Sequence, residues 1–212
     1  MDLTGMGGVA IHLILNVVIA LMSIVAWLQM ALTRGHAVQE LATTGLKSLK
    51  YFTVLSNLFS GLTSFVFVVF FLMGKVPPYW LLVAKLASAT SVMLTFFTVL
   101  LFLGPTMGWA NMYKSGNLWM HLVLPLLAAI DCCTYAPMRS LPLSSTFVAL
   151  VPVILYGIVY IARVMILGTV RDGKTIDFYG FARGGVRNLP LVTGVMLVGT
   201  WVIALVLKFI YS

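Results

Sequence analysis

Charge is scarce in this chain, and acidic charge is scarcest: five Asp and Glu stand against thirteen Lys and Arg in 212 residues, and charged side chains make up 8%. A soluble domain carries about a quarter charged residues, so a water-facing globule is excluded. The basic excess does not form the clustered face that nucleic acid would require, and no nucleic-acid partner is expected. Cysteine is nearly absent too. Cys132 and Cys133 are adjacent within an apolar run, where neighbours rarely bridge, so no disulfide framework is expected. The three histidines, His12, His36 and His121, are far apart in sequence. No carboxylate falls at the depth of His121, which leaves too few ligands for a zinc site. No metal and no cofactor is expected. A cleaved leader is also missing from the reading: the first apolar run is too long for a signal core and follows no basic segment. Neither internal repeats nor an inverted pair of broken helices of the transporter kind is visible.

What the chain has in abundance is hydrocarbon. Hydrophobic residues make up 61% and the mean hydropathy is +1.08. Six apolar runs occupy roughly 8–33, 49–73, 79–103, 117–135, 143–168 and 189–211. A helix needs about 20 mostly apolar residues to cross the hydrocarbon core of a bilayer. The expectation is an all-α polytopic membrane protein, six transmembrane helices in one bundle, with residues 1–212 as a single domain. Gly74–Pro78 and Ala136–Pro142 read as tight turns. The longer connections Arg34–Ser48, Gly104–Gly116 and Thr169–Asn188 all fall on one side, called B; the N-terminus lies on the other, side A. Side B holds eight of the thirteen basic residues, Arg34, Lys47, Lys50, Lys114, Arg171, Lys174, Arg183 and Arg187. The positive-inside rule then puts side B in the cytoplasm and both termini outside. The last connection contains Asp177-Phe178-Tyr179-Gly180-Phe181, either an interfacial aromatic belt or a segment that dips back toward the bundle.

Ionisable groups inside such runs are costly and need a reason. There are four clear cases: Lys85, His121, Asp131 and Arg163. Residues three and four apart share a helix face. On that basis the second run aligns Thr53, Ser56, Asn57, Ser60, Thr63 and Ser64. The third aligns Lys85, Ser88, Ser91, Thr95 and Thr98. The fourth aligns Asn117, His121, Ala128 and Asp131, and the fifth Tyr156, Tyr160 and Arg163. The first offers His12 and Asn16, and the sixth only scattered threonines. These stripes suggest that helices 2–5 surround a polar interior, with helices 1 and 6 outside or closing the ring. Small polar residues often serve only to join helices, and an interhelical hydrogen bond is the plain reading of His121. Depth separates two layers. Thr53, Ser56, Asn57, Asn117, His121, Tyr160 and Arg163 lie about one turn in from side B. Lys85 and Asp131 lie deeper; a charge pair pinning helix 3 to helix 4 is the favoured structural reading of these two, with snorkelling of Lys85 to side A as the rival.

The side-B layer holds a hydroxyl, an imidazole, amide donors and a fixed cation. Acyl transfer uses such parts: a nucleophile, a base that titrates near neutral pH, and donors for an oxyanion. Metal chemistry fits less well for want of ligands. Two strings then carry a resemblance, Lys50–Asn57 (KYFTVLSN) and Leu118–Asp131 (LWMHLVLPLLAAID), with the DFYGF segment before the last helix. They resemble the androgen-induced family of multi-pass membrane proteins and its bacterial relatives with an F-T-x-x-S-N start to the second helix. Members of that family are similar to transmembrane threonine hydrolases that cleave fatty acid esters of hydroxy fatty acids. The resemblance implies Thr53, which follows Phe52, as nucleophile and His121, four residues before Pro125, as base. It implies a bilayer lipid as substrate. Asn57 and Asn117 are then oxyanion donors, Ser56 and Tyr160 neighbours of the substrate, and Arg163 a holder of its free carboxylate. The chain departs from the bacterial pattern at Cys132, where a tryptophan is common, and at Tyr179-Gly180-Phe181-Ala182. The rival expectation is a transporter or ligand-binding protein that uses the same polar interior, and a purely structural subunit is a third.

Overall fold

The computed structural model describes residues 3–32, 45–114, 116–171, 174–182 and 184–210. Most of the Arg34–Ser48 connection, with Arg34 and His36, lies outside them, as does Arg183. Six helices are long and apolar enough to cross a membrane. We label them α1 (Leu3–Leu32), α2 (Phe52–Leu72), α3 (Tyr79–Met107), α4 (Gly116–Thr134), α5 (Ser145–Leu167) and α6 (Val186–Phe209). The only strand pairing among the described residues is a two-residue ladder, Val170–Arg171 with Lys174–Thr175. The all-α expectation holds, and the class is that of a multi-pass membrane bundle.

The turns follow local chemistry. At the end of α2, Gly74 takes φ 64°, and the Gly74 and Lys75 amides donate to the carbonyls of Phe71 and Phe70. This satisfies two orphan carbonyls in a Schellman arrangement that only glycine enters freely. Pro77 and Pro78 then start α3. Two widened π turns interrupt the helices, Val99–Leu103 in α3 and Trp119–Val123 in α4. Each precedes a proline by two residues. Pro105 and Pro125 have no N–H for the carbonyls of Leu101 and His121 and crowd them. The chain widens instead, and Gly104 and Leu124 donate to Val99 and Trp119, five residues back. The first π turn carries α3 through Gly104 to Met107, where the sequence reading had placed a loop.

Packing differs from the expected ring. α3 is the most buried helix and α5 the least. α1 is no outlier: it lies along α2, and at Gly61 an added Cβ would meet the Ser23 Cβ at 2.7 Å. Its His12 and Asn16 are buried in the interior. The bundle is therefore centred on α3, with α1, α2 and α4 close around its side-A half.

Candidate functional site: two polar centres and a lipid-facing cavity

The side-A half is held by an ionic cluster drawn from three helices. Asp131 of α4 is fully buried and pairs with Lys85 of α3. The two α1 residues complete its shell: His12 Nδ1 is 2.7 Å from Oδ1, and Asn16 Nδ2 donates to Oδ2 at 2.9 Å. Lys85 Nζ also donates to Asn16 Oδ1 at 2.9 Å and lies 4.1 Å from the centre of the Phe67 ring. Each ionised group thus has both a counter-charge and further hydrogen bonds, the condition under which a buried pair is tolerated. The expected Lys85–Asp131 pair is present. The α1 contribution was overlooked, although the i,i+4 spacing of His12 and Asn16 put both on one face and was the available signal.

The side-B half contains the proposed reactive layer. Asn57 is buried and donates through Nδ2 to the Thr53 carbonyl at 2.7 Å and to the Met120 carbonyl at 3.1 Å. It therefore ties the first turn of α2 to the residue before His121. His121 is buried in the π turn of α4, and its Nδ1 lies 2.8 Å from the Met112 carbonyl. A carbonyl only accepts, so Nδ1 carries the proton and the neutral ring keeps its lone pair on Nε2. Among the described residues no hydrogen bond joins Thr53 and His121.

Thr53 lines a cavity of about 270 Å³ between α2, α3, α5 and α6. Most of its wall is aliphatic: Leu94, Val99 and Leu103 of α3, Val153 and Ile161 of α5, Val192 and Leu197 of α6. The hydroxyl-bearing side chains of Thr53, Thr95, Thr98 and Thr193 and three tyrosines interrupt it. His121 is not among its lining residues. The loose seating of α5 leaves room for the cavity.

The aromatic segment closes the side-B end. It dips back into the bundle, so the interfacial-belt alternative does not hold. Asp177 is buried and accepts from the Tyr160 hydroxyl and from the Phe181 and Ala182 amides, both at 2.9 Å. Tyr179 lines the cavity, and its hydroxyl accepts from the Phe52 amide at 2.9 Å. Beside it, the Tyr51 and Tyr160 rings pack edge to face on the Phe178 ring. Burial pushes the Tyr179 phenol up to about 12. Lys50 lies 4.9 Å from the centres of both the Tyr51 and Phe178 rings. Burial, and secondarily the nearby Arg163, hold its ammonium below the usual range.

Several expected roles need revision on this geometry. Arg163 is exposed on the outer face of α5, not turned inward with Tyr160. Both donors of Asn57 are engaged by backbone carbonyls. Ser56 Oγ is 3.1 Å from the Thr53 carbonyl and 3.2 Å from Thr95 Oγ1. Asn117 points to the Asn111 carbonyl at 3.4 Å and does not line the cavity. Tyr160 lines the cavity, but its proton goes to Asp177. Asp177 itself was passed over as a site residue; the sequence marked its segment only by aromatic content. Among the described residues no three His, Cys, Asp or Glu side chains gather as metal ligands. No family model, curated protein or solved structure matches this chain.

Proposed function

We propose that this protein is an intramembrane lipid-ester hydrolase with Thr53 as nucleophile and His121 as base. The observation that carries the reading is the surroundings of Thr53: it lines a mostly apolar cavity, and Asn57 ties its carbonyl to that of Met120, the neighbour of an imidazole whose basic nitrogen is Nε2. An apolar slot with few convergent polar groups is the usual form of a small-molecule site. A slot lined this way suits one acyl chain, with the ester placed at Thr53. The resemblance of the FTVLSN and HLVLP strings to the androgen-induced family supports the same assignment. The substrate enters from the bilayer, and side B faces the cytoplasm, in line with its excess of bases.

In the reaction, Thr53 Oγ attacks the ester carbonyl carbon and its proton passes to His121 Nε2. Threonine is a weak nucleophile without such a base. The tetrahedral intermediate collapses, the alcohol leaves with the proton from His121, and the acyl group stays on Thr53. Water, deprotonated by His121, then releases the fatty acid. Thr53 and His121 are not hydrogen-bonded in the free protein, so the two must come together when substrate arrives, the stage at which catalytic hydrogen bonds often form.

One observation favours a second reading, a lipid-binding protein without chemistry: Thr53 and His121 are not hydrogen-bonded. Turnover of a fluorogenic long-chain ester by purified protein in nanodiscs separates the two. Hydrolysis that disappears in both Thr53→Ala and His121→Ala supports the hydrolase. Saturable binding of a fluorescent fatty acyl probe with no turnover above background supports the binding protein.

A further inference from the structure

We propose that Tyr179 is a catalytic residue of the Thr53 site, whose O–H donates to the oxyanion formed when Thr53 attacks the ester. This rests on the hydrolase reading and supplies the donor that reading lacks. The amide protons of Asn57 are committed to two carbonyls, and Asn117 lies away from the cavity. Three tyrosines line the cavity. The Tyr156 proton goes to the Lys50 carbonyl at 2.7 Å. The Tyr160 proton goes to the Asp177 carboxylate. Tyr179 is different. Its oxygen accepts from the Phe52 amide, with the Thr53 amide and the Tyr156 hydroxyl beside it. Because the Tyr156 proton is on the Lys50 carbonyl, the Tyr179 proton goes to the Tyr156 hydroxyl oxygen, a neutral acceptor that an oxyanion outcompetes.

The position suits the task. Phe52 is the residue before the nucleophile, so the phenol is anchored at the first turn of α2 next to Thr53. A hydroxyl that accepts from an N–H becomes a better donor, because hydrogen bonds in series polarise one another. The hydroxyl is also fixed before substrate arrives. Asp177 pins the strap on one side of Tyr179 through Tyr160 and on the other through the Phe181 and Ala182 amides. Donors held in place in advance stabilise developing charge at no cost of reorganisation. A phenol held near 12 stays protonated at neutral pH and keeps its proton throughout the reaction. As the Oγ–C bond forms, the carbonyl π pair moves to oxygen, the Oγ proton moves to His121, and Tyr179 O–H donates to that oxygen. The donation weakens as the carbonyl re-forms and the alcohol leaves.

The test compares wild type, Thr53→Ala and Tyr179→Phe as full chains in nanodiscs, on a fluorogenic long-chain ester. Removal of one oxyanion donor lowers kcat by about 10²–10³-fold, and KM should change by less than about twofold if ground-state binding is untouched. A binding readout accompanies it: a long-chain trifluoromethyl ketone, which adds Thr53 as a hemiketal, against the matched ether, which does not. Tyr179→Phe should lose the ketone's advantage and keep the ether's affinity. Equal weakening of both ligands marks a packing role and overturns the proposal. Unchanged kcat in Tyr179→Phe, with Thr53→Ala inactive, overturns it while the Thr53 reading survives. Full activity in Thr53→Ala removes both. Should Tyr179→Phe fail to fold, 3,5-difluorotyrosine placed at 179 keeps the ring and the Phe52 contact while acidifying the hydroxyl. The alkaline limb of kcat then moves to lower pH; an unmoved limb overturns the proposal.

Discussion

At the scale of single residues, the cost of burial sorts what each polar group does. Lys85 and Asp131 are 4% and 0% exposed, and each other, His12, Asn16 and, for Lys85, the Phe67 ring offset their lost hydration. Lys85→Met leaves a carboxylate uncompensated, and breaking a buried pair costs about 3–5 kcal/mol. The double variant Lys85→Met/Asp131→Leu should lose much less than the sum of the single changes. A double-mutant cycle on thermal unfolding in detergent reads this directly, and simple additivity contradicts the pairing. The pair was legible in sequence because an ionised group in an apolar run is so improbable that two at matching depth explain each other. Arg163 was misread for a reason of geometry. Three residues past Tyr160 is about 60° off its direction at 3.6 residues per turn. On a peripheral helix with a narrow buried stripe, that offset separates a buried Tyr160 from an exposed Arg163. Asn57 shows the other limit: its depth was readable, but its bond to the Met120 carbonyl depends on how α2 and α4 approach.

At the scale of elements, the π turn of α4 places the imidazole. Pro125 denies the His121 carbonyl its ordinary partner, and the widened turn lets Leu124 donate to Trp119. Pro125→Ala supplies the missing N–H and should let the turn relax to an α-helix. That rotates His121 away from Met112 and α2. A misplacement of about 1 Å can cost about 10²-fold in rate, so turnover should fall by about that factor while thermal stability holds or rises. Unchanged turnover contradicts the role given to the turn. The third run was closed at 103 because the long apolar stretch ends there, and hydropathy does not show that a widened turn carries the helix on to Met107. The strap over the cavity was half legible. Its aromatic content was plain; its inward fold depends on Asp177, whose partners lie on α5 and on the strap's own backbone. Tyr179 and the strap also set an alkaline limit. The phenol ordinarily titrates at 10.0 and is held up to about 12 in the fold. The folded state therefore keeps a proton that the unfolded chain gives up, and this contribution, intact below 10.0, is lost as pH rises toward about 12. Denaturation followed from pH 8 to 12 should show a shallower alkaline decline in Tyr179→Phe than in wild type; parallel curves contradict the assignment.

At the scale of the whole molecule, the bundle divides by height. The side-A half is sealed by the ionic cluster of α1, α3 and α4, and the side-B half opens into a cavity closed by the aromatic strap. The six crossings were legible because length and apolarity suffice to define them; the lateral arrangement was not, because hydropathy does not say which helix is central. The sidedness proposed from loop charge has its own test. In a Cys132→Ala/Cys133→Ala background, Lys75→Cys should react with an impermeant maleimide added outside intact cells, and Arg187→Cys only after permeabilisation. The reverse pattern inverts the topology without moving the site relative to the helices. The central claim, that Thr53 at the head of the cavity is an acylated nucleophile, has a direct measurement. Purified protein is incubated with a long-chain fluorophosphonate, and the adduct is located by peptide mass spectrometry. The account predicts one covalent adduct on Thr53, reduced in His121→Ala and abolished in Thr53→Ala. An adduct on another residue, or none while the same sample still binds a fluorescent acyl probe, contradicts it.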